Sequence, residues 1–133
     1  MIEDQLYRQE LLEVIRSPRN RGEINNPDFE AILENPLCGD EVKIQIELEN
    51  GQQRAVSSKT IKRAVFSGNG CAISQASASL LAQNIEGKRL DQVKNLKTSD
   101  ILKLIGIKPN PTRMGCALLS LETLRAALSV GAK

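Results

Sequence analysis

Val42-Lys43-Ile44-Gln45-Ile46-Glu47-Leu48-Glu49-Asn50-Gly51 is the stretch from which the fold can be read. Apolar side chains at 42, 44, 46 and 48 alternate with Lys43, Gln45, Glu47 and Glu49. Successive side chains of a strand point to opposite faces, so the pattern predicts a strand with one buried and one wet face. Asn50-Gly51 is a hairpin signal, because both residues tolerate the positive φ of a tight turn. The return strand is expected over residues 54–57 or 61–66, and the longer second candidate is preferred. Residues 29–33 read as a short edge strand. The expected sheet is therefore small and antiparallel, with about three strands.

Outward from this sheet, helical spacing dominates. Ile2, Leu6, Tyr7, Leu11, Val14 and Ile15 form an apolar stripe that Pro18 ends. Pro18-Arg19-Asn20-Arg21-Gly22 and Asn25-Asn26-Pro27 read as turns. After Ser67-Gly68-Asn69-Gly70, a helix is expected from Cys71, rich in Ala and Ser, with Ile73, Ala76, Leu80 and Leu81 on its apolar face and Gly87 closing it. Thr98-Ser99-Asp100 resembles an N-cap before Ile101, Leu102, Leu104 and Ile105, with Gly106 as the stop. Pro109 and Pro111 break the chain. A last helix is expected to start near Cys116 and run through Ala117, Leu121, Leu124 and Leu128 to Gly131. The fold class is α+β, with helices packed mainly on one face of the sheet. A length of 133 residues suits one domain spanning 1–133.

Composition excludes several functions. A net charge of +2 is too small for an electrostatic nucleic-acid footprint, and Tyr7, Phe29 and Phe66 are too few to form a base-stacking platform. No apolar run reaches the length of a membrane span, and the N-terminal stretch reads as neither signal nor transit peptide. Three cysteines, spaced 33 and 45 residues apart (71−38 and 116−71), do not make a disulfide framework. A cytoplasmic, reducing setting is expected. Histidine is absent, which removes the commonest general base and nitrogen ligand.

The chemistry then rests on thiols and one carboxylate. In Asn35-Pro36-Leu37-Cys38-Gly39-Asp40, Pro36 disfavours helical backbone and Gly39 permits a sharp turn, so Cys38 and Asp40 share a loop at the root of a strand. Cys71 and Cys116 are each expected at a helix start, where unpaired N–H groups favour a thiolate, the metal-binding form. Arg113 adds a cation near Cys116, and Gly70 lets the backbone pass close to whatever Cys71 holds. Any one cysteine could be a small core hydrophobe, and Asp40 alone could be a turn residue. All three cysteines, however, lie beside Gly or Pro at element boundaries, outside the apolar stripes. Three thiols and a carboxylate brought together would form a metal site with a single hard oxygen ligand, suited to a cargo that arrives and leaves.

Three blocks carry a family resemblance: Asn35 to Asp40, Phe66-Ser67-Gly68-Asn69-Gly70-Cys71-Ala72-Ile73-Ser74-Gln75-Ala76-Ser77-Ala78-Ser79, and Arg113-Met114-Gly115-Cys116-Ala117. Together they resemble the U-type iron–sulfur cluster assembly proteins IscU, SufU and the N-terminal domain of NifU. The resemblance implies a scaffold without turnover of its own. Such a scaffold receives sulfur from a cysteine desulfurase, assembles a [2Fe–2S] cluster and passes it to acceptor proteins. It also implies Cys38, Asp40, Cys71 and Cys116 as ligands of the cluster or of zinc, and Cys38 as the sulfur acceptor. Gly39, Gly70 and Arg113 support the site. IscU-type members carry a histidine where Gly115 stands, and Ile107-Lys108-Pro109-Asn110-Pro111 does not reproduce their chaperone-docking stretch, which argues against a specialised Hsp70 partner. Arg113 and the Ala72-Ile73-Ser74 run look more like SufU, although the extra segment of SufU between the second and third cysteines is missing. Two alternatives stay open: a zinc-dependent sulfurtransferase, and a zinc-stabilised interaction module.

Overall fold

β2 (Asp40–Leu48) forms the middle of a three-stranded sheet, and its Val42, Ile44, Ile46 and Leu48 are all buried as their alternation predicts. The computed structural model describes residues 12–36, 39–49, 58–106 and 111–130. β1 (Phe29–Asn35) and β3 (Ile61–Ser67) flank β2 in the antiparallel order β1-β2-β3. Phe29 lies opposite Ile46 and Asn35 opposite Asp40, while Ile44 lies opposite Phe66 and the register shifts at Glu47/Leu48. The longer candidate return strand is therefore the one used. The edge strand expected over 29–33 extends to Asn35, which makes Asn35–Asp40 the closing pair of a β1–β2 hairpin. The Asn50-Gly51 turn and segment 54–57 lie outside the described residues, as do Ile2, Leu6, Tyr7, Leu11, Pro109 and Gly131.

The outer face of β2 is less wet than its polar residues suggest. Gln45 is only 4% exposed, because the segment carrying Ile24 folds across it. Ile24 N–H donates to Gln45 Oε1 at 2.8 Å, and Gln45 Nε2 donates to the Ile24 carbonyl at 3.2 Å and to Glu30 Oε1 at 2.9 Å. A buried amide with both ends partnered costs little to keep. The free edge of β3 is covered in the same way. Phe66 N–H donates to the Asn20 carbonyl at 2.9 Å and Gly22 N–H to the Phe66 carbonyl at 3.0 Å, so the Pro18–Gly22 turn occupies an edge that would otherwise invite another strand.

Helical segments cover residues 12–16 (α1), α2 (Ala72–Ile85), α3 (Leu90–Val93), α4 (Thr98–Ile105) and α5 (Pro111–Val130). The short α3 has no sequence signal strong enough to predict it. In α4 the cap is Lys97 instead of Thr98, since Lys97 N–H donates to the Asp100 carboxylate at 2.8 Å, and Gly106 stops the helix with φ of 77°. The Ala/Ser run of α2 has a packing reason. Ser74, Ala76, Ser77, Ala78, Ser79, Leu81, Ala82 and Ile85 are all buried, nearly around the helix. Small side chains let α2 approach the sheet and α5 closely, and each buried hydroxyl then needs a partner. Ser77 Oγ donates to the Ala117 carbonyl at 2.6 Å and lies 2.9 Å from Ser120 Oγ, while Ser79 Oγ donates to the Arg19 carbonyl at 2.7 Å. Phe29, Ile44, Phe66, Leu81, Ile101, Leu121 and Leu124 fill the space between sheet and helices. Among the described residues no helix is long and apolar enough to cross a membrane.

Where β3 leaves the sheet, Gly68 has φ of +118°, and a Cβ there would overlap the Glu41 carbonyl oxygen. Gly39 also has positive φ, +75°, but faces open space. Gly68→Ala is expected to lower unfolding free energy by about 3 kcal/mol, strain and backbone clash combined, against about 1 kcal/mol for Gly39→Ala. Parallel denaturant titrations measure both, and equal losses would contradict the close approach.

Candidate metal centre

Asp40 opens β2 at the end of the sheet and is 4% exposed. The hairpin holds it there: it pairs with Asn35, and Gly39 N–H donates to the Asn35 carbonyl at 2.8 Å. The loop from Ser67 to Cys71 is drawn against the same end, with Glu41 N–H donating to the Asn69 carbonyl at 2.6 Å. Arg21 braces that loop. Its guanidinium donates to the Gly68 carbonyl at 3.2 Å and to Gln75 Oε1, and it lies over the Phe66 ring at 5.7 Å.

The brace delivers Cys71 as the N-cap residue of α2, with extended backbone and no capping bond from its own side chain. Asp40 supplies a carboxylate instead. Its Oδ1 accepts the Cys71 N–H at 3.0 Å and its Oδ2 accepts the Ser74 hydroxyl at 3.0 Å. A carboxylate at a helix N-terminus is held by both the local N–H groups and the helix dipole. Gly70 leaves the room for this, since a Cβ there would overlap Ser74 Oγ and press on Asp40 Cγ at 3.2 Å.

Cys116 arrives from the other side. The expectation that its helix starts beside it is corrected: α5 begins at Pro111, whose locked φ suits a first helical position, and Cys116 sits in the second turn. It is therefore a buried residue of the helix body, 1% exposed, facing the sheet end. Arg113 is exposed in the first turn, and Gly115 is exposed beside Asn35, whose Nδ2 would lie 2.9 Å from a Cβ at 115. Next to this contact Glu34, Asn35, Pro36, Gly115, Leu119 and Glu122 line a cavity of about 250 Å³.

One carboxylate oxygen of Asp40 and the sulfurs of Cys71 and Cys116 all lie within 4.8 Å of one another. Three residues far apart in sequence, on β2, α2 and α5, thus converge on one point. Cys38, the fourth predicted ligand, lies outside the described residues. Two thiols and a carboxylate fit a thiophilic metal: zinc–sulfur bonds of about 2.3 Å and zinc–oxygen bonds of about 2.1 Å close onto one ion with small side-chain shifts from these separations. Sequence reasoning missed Ser74 as a member of the site. Its signal was position, a hydroxyl three residues after the helix-start cysteine, from which a side chain reaches back to the helix N-terminus.

A three-stranded antiparallel sheet with a thiol–carboxylate cluster at its end, backed by an Ala/Ser-rich helix, defines an α+β protein that brings two thiols to one carboxylate. The NifU-like N terminal domain family matches residues 6–130, and the chain belongs to that family. It is 29% identical to the zinc-dependent sulfurtransferase SufU of Bacillus subtilis, covering 95% of this chain and 91% of the relative. It is also 29% identical to the iron-sulfur cluster assembly scaffold protein IscU of Thermotoga maritima, covering 96% of each. A nitrogen-fixing NifU-like protein (N-terminal) from Brucella abortus has the same fold, with a TM-score of 0.70 at 21% identity, over 98% of this chain and 96% of the other.

Adding zinc to metal-free protein is expected to raise the melting temperature, because an ion at Asp40, Cys71 and Cys116 ties β2, α2 and α5 together. At 100-fold excess over the dissociation constant the gain is about 2.7 kcal/mol. Gly70→Ala, which crowds Ser74 and Asp40, is expected to remove most of that gain, as read by calorimetry with and without zinc.

Proposed function

We propose that this chain is an iron–sulfur cluster assembly scaffold, acting as one domain. It receives sulfur from a cysteine desulfurase, builds a [2Fe–2S] cluster on Cys38, Asp40, Cys71 and Cys116, and hands it to acceptor proteins. The observation that carries this reading is the meeting of Asp40, Cys71 and Cys116 within 4.8 Å in a chain of the NifU-like family. The name of the Thermotoga maritima relative supports it. A reducing, cytoplasmic compartment suits the chemistry, since the thiols must stay reduced to bind and release their cargo.

The ligand set explains why such a cargo is held loosely. Thiolates are soft donors that iron–sulfur clusters and zinc prefer, whereas a carboxylate oxygen is a hard donor and the natural bond to open. Cys71 is partly exposed while Cys116 and Asp40 are buried, so one side of the site is accessible to a partner and the other is fixed to the core. The name of the Bacillus subtilis relative supports a second reading on the same residues, a zinc-dependent sulfur relay. Anaerobic addition of iron and sulfide decides between them. The scaffold is expected to develop sulfur-to-iron charge-transfer absorption with two irons and two sulfides per chain. Cys71→Ser and Cys116→Ser are each expected to lose most of it, and a colourless wild type would refute the scaffold reading.

Cys38 is the sulfur acceptor in this proposal, because Pro36 and Gly39 flank it in sequence and Asp40 follows two residues later. Its thiolate attacks the terminal sulfur of the desulfurase persulfide. The sulfur–sulfur bond breaks, the desulfurase cysteine leaves as a thiolate, and Cys38 keeps the extra sulfur. That sulfur takes up two electrons from an external thiol or reductase before it enters a cluster as sulfide. Incubating single Cys→Ser variants with a desulfurase and cysteine, then mapping the added sulfur by mass spectrometry, is expected to find it on wild type and absent from Cys38→Ser. Full labelling of Cys38→Ser would reassign the acceptor.

A further inference from the structure

We infer that Ser74 is a positioning residue of the site: its hydroxyl aims the Asp40 carboxylate and links that carboxylate to Cys71. The inference rests on the metal-centre reading above and assigns a task to a side chain outside the ligand set. Ser74 is fully buried, with 0% exposure, in the first turn of α2. Three contacts converge on its oxygen. It donates to Asp40 Oδ2 at 3.0 Å, it lies 3.2 Å from the Cys71 carbonyl, and the Cys71 thiol approaches it at 3.8 Å.

A hydroxyl has one proton, so it serves Asp40 or the Cys71 carbonyl, never both at once. With the proton on Asp40, the carboxylate is held at both oxygens: Oδ1 by the Cys71 N–H and Oδ2 by Ser74. Its plane is then fixed relative to the two sulfurs. With the proton turned to the Cys71 carbonyl, Oδ2 loses the Ser74 bond and the carboxylate is aimed less tightly. The Cys71 sulfur lies 3.8 Å from the same hydroxyl, so Ser74 touches both the carboxylate and one of the two sulfurs. Hydrogen-bond partners of metal ligands act in this way, by fixing ligand orientation, and their loss costs about 10- to 100-fold in metal affinity.

Ser79 provides the control. It is as buried as Ser74 and on the same helix, but its hydroxyl donates to the Arg19 carbonyl and accepts from Gln83 Nε2, away from the three converging side chains. Wild type, Ser74→Ala and Ser79→Ala are loaded with Co²⁺ for absorption spectra and with Zn²⁺ for timed release to a chromogenic chelator. Ser74→Ala is expected to shift the cobalt ligand-field bands and to release zinc about 10-fold faster or more, while Ser79→Ala stays within about twofold of wild type. Release from Ser74→Ala at the wild-type rate, or equal acceleration in both variants, overturns the positioning role. A wild type that takes up neither ion refutes the metal-centre reading itself, a result distinct from either of these.

Discussion

A buried carboxylate has to be answered by donors, and in this protein the answer organises the site. Asp40 is almost wholly removed from solvent at the end of the central strand, where an uncompensated charge would be expensive. The Cys71 N–H and the Ser74 hydroxyl meet its two oxygens at 3.0 Å each. Those bonds join the start of β2 to the start of α2, and so couple the sheet to the helix that carries a candidate ligand. The constraint propagates outward. Gly70 must lack a side chain so that Ser74 can reach Asp40, and Gly68 must lack one so that the loop can lie on the Glu41 carbonyl. Arg21 then holds the loop down from outside.

The same economy of volume governs the back of the site. α2 contacts α5 through Ser77, Ala117 and Ser120, and the short serine side chains let the helices close while their hydroxyls satisfy one another and a carbonyl. This contact sets where α5 lies, and therefore where Cys116 points. The helix that looks compositionally unusual in sequence is thus a spacer of defined thickness, with ligands delivered from either side of it.

Chemically, the arrangement mixes permanence and exchange. Cys116 is anchored in a helix body and buried, whereas Cys71 sits at a helix terminus and is partly exposed. The oxygen between them belongs to a residue that already has work as the cap of α2. As a proposed ligand, Asp40 would give up a metal while keeping its bonds to Cys71 N–H and Ser74. A ligand with a second occupation is a low-cost point of release, which suits a site whose content is meant to leave.

The alternation of Val42 to Leu48, the small-residue helix after Cys71 and the glycine stops at Gly87 and Gly106 marked β2, α2 and α4 in the sequence alone. Periodicity and backbone conformational preference are local properties, visible without knowledge of partners. The nomination of Cys38, Asp40, Cys71 and Cys116 rested on thiols beside Gly or Pro; the fold brings Asp40, Cys71 and Cys116 together, although Cys116 lies in a helix body and not at an element boundary. What the sequence could not decide was set by contacts between distant segments. Gln45 carries the pattern of a solvent-facing residue, yet it is buried because Ile24, 21 residues earlier, folds over it. Cys116 looked like a helix start, but α5 begins at Pro111, and its largely exposed first turn carries no apolar stripe to announce it. Ser74 reads as one serine among several until β2, 34 residues away, brings a carboxylate to it. Only tertiary structure joins such pairs, since their proximity is a property of how strands and helices stack and not of any stretch of chain.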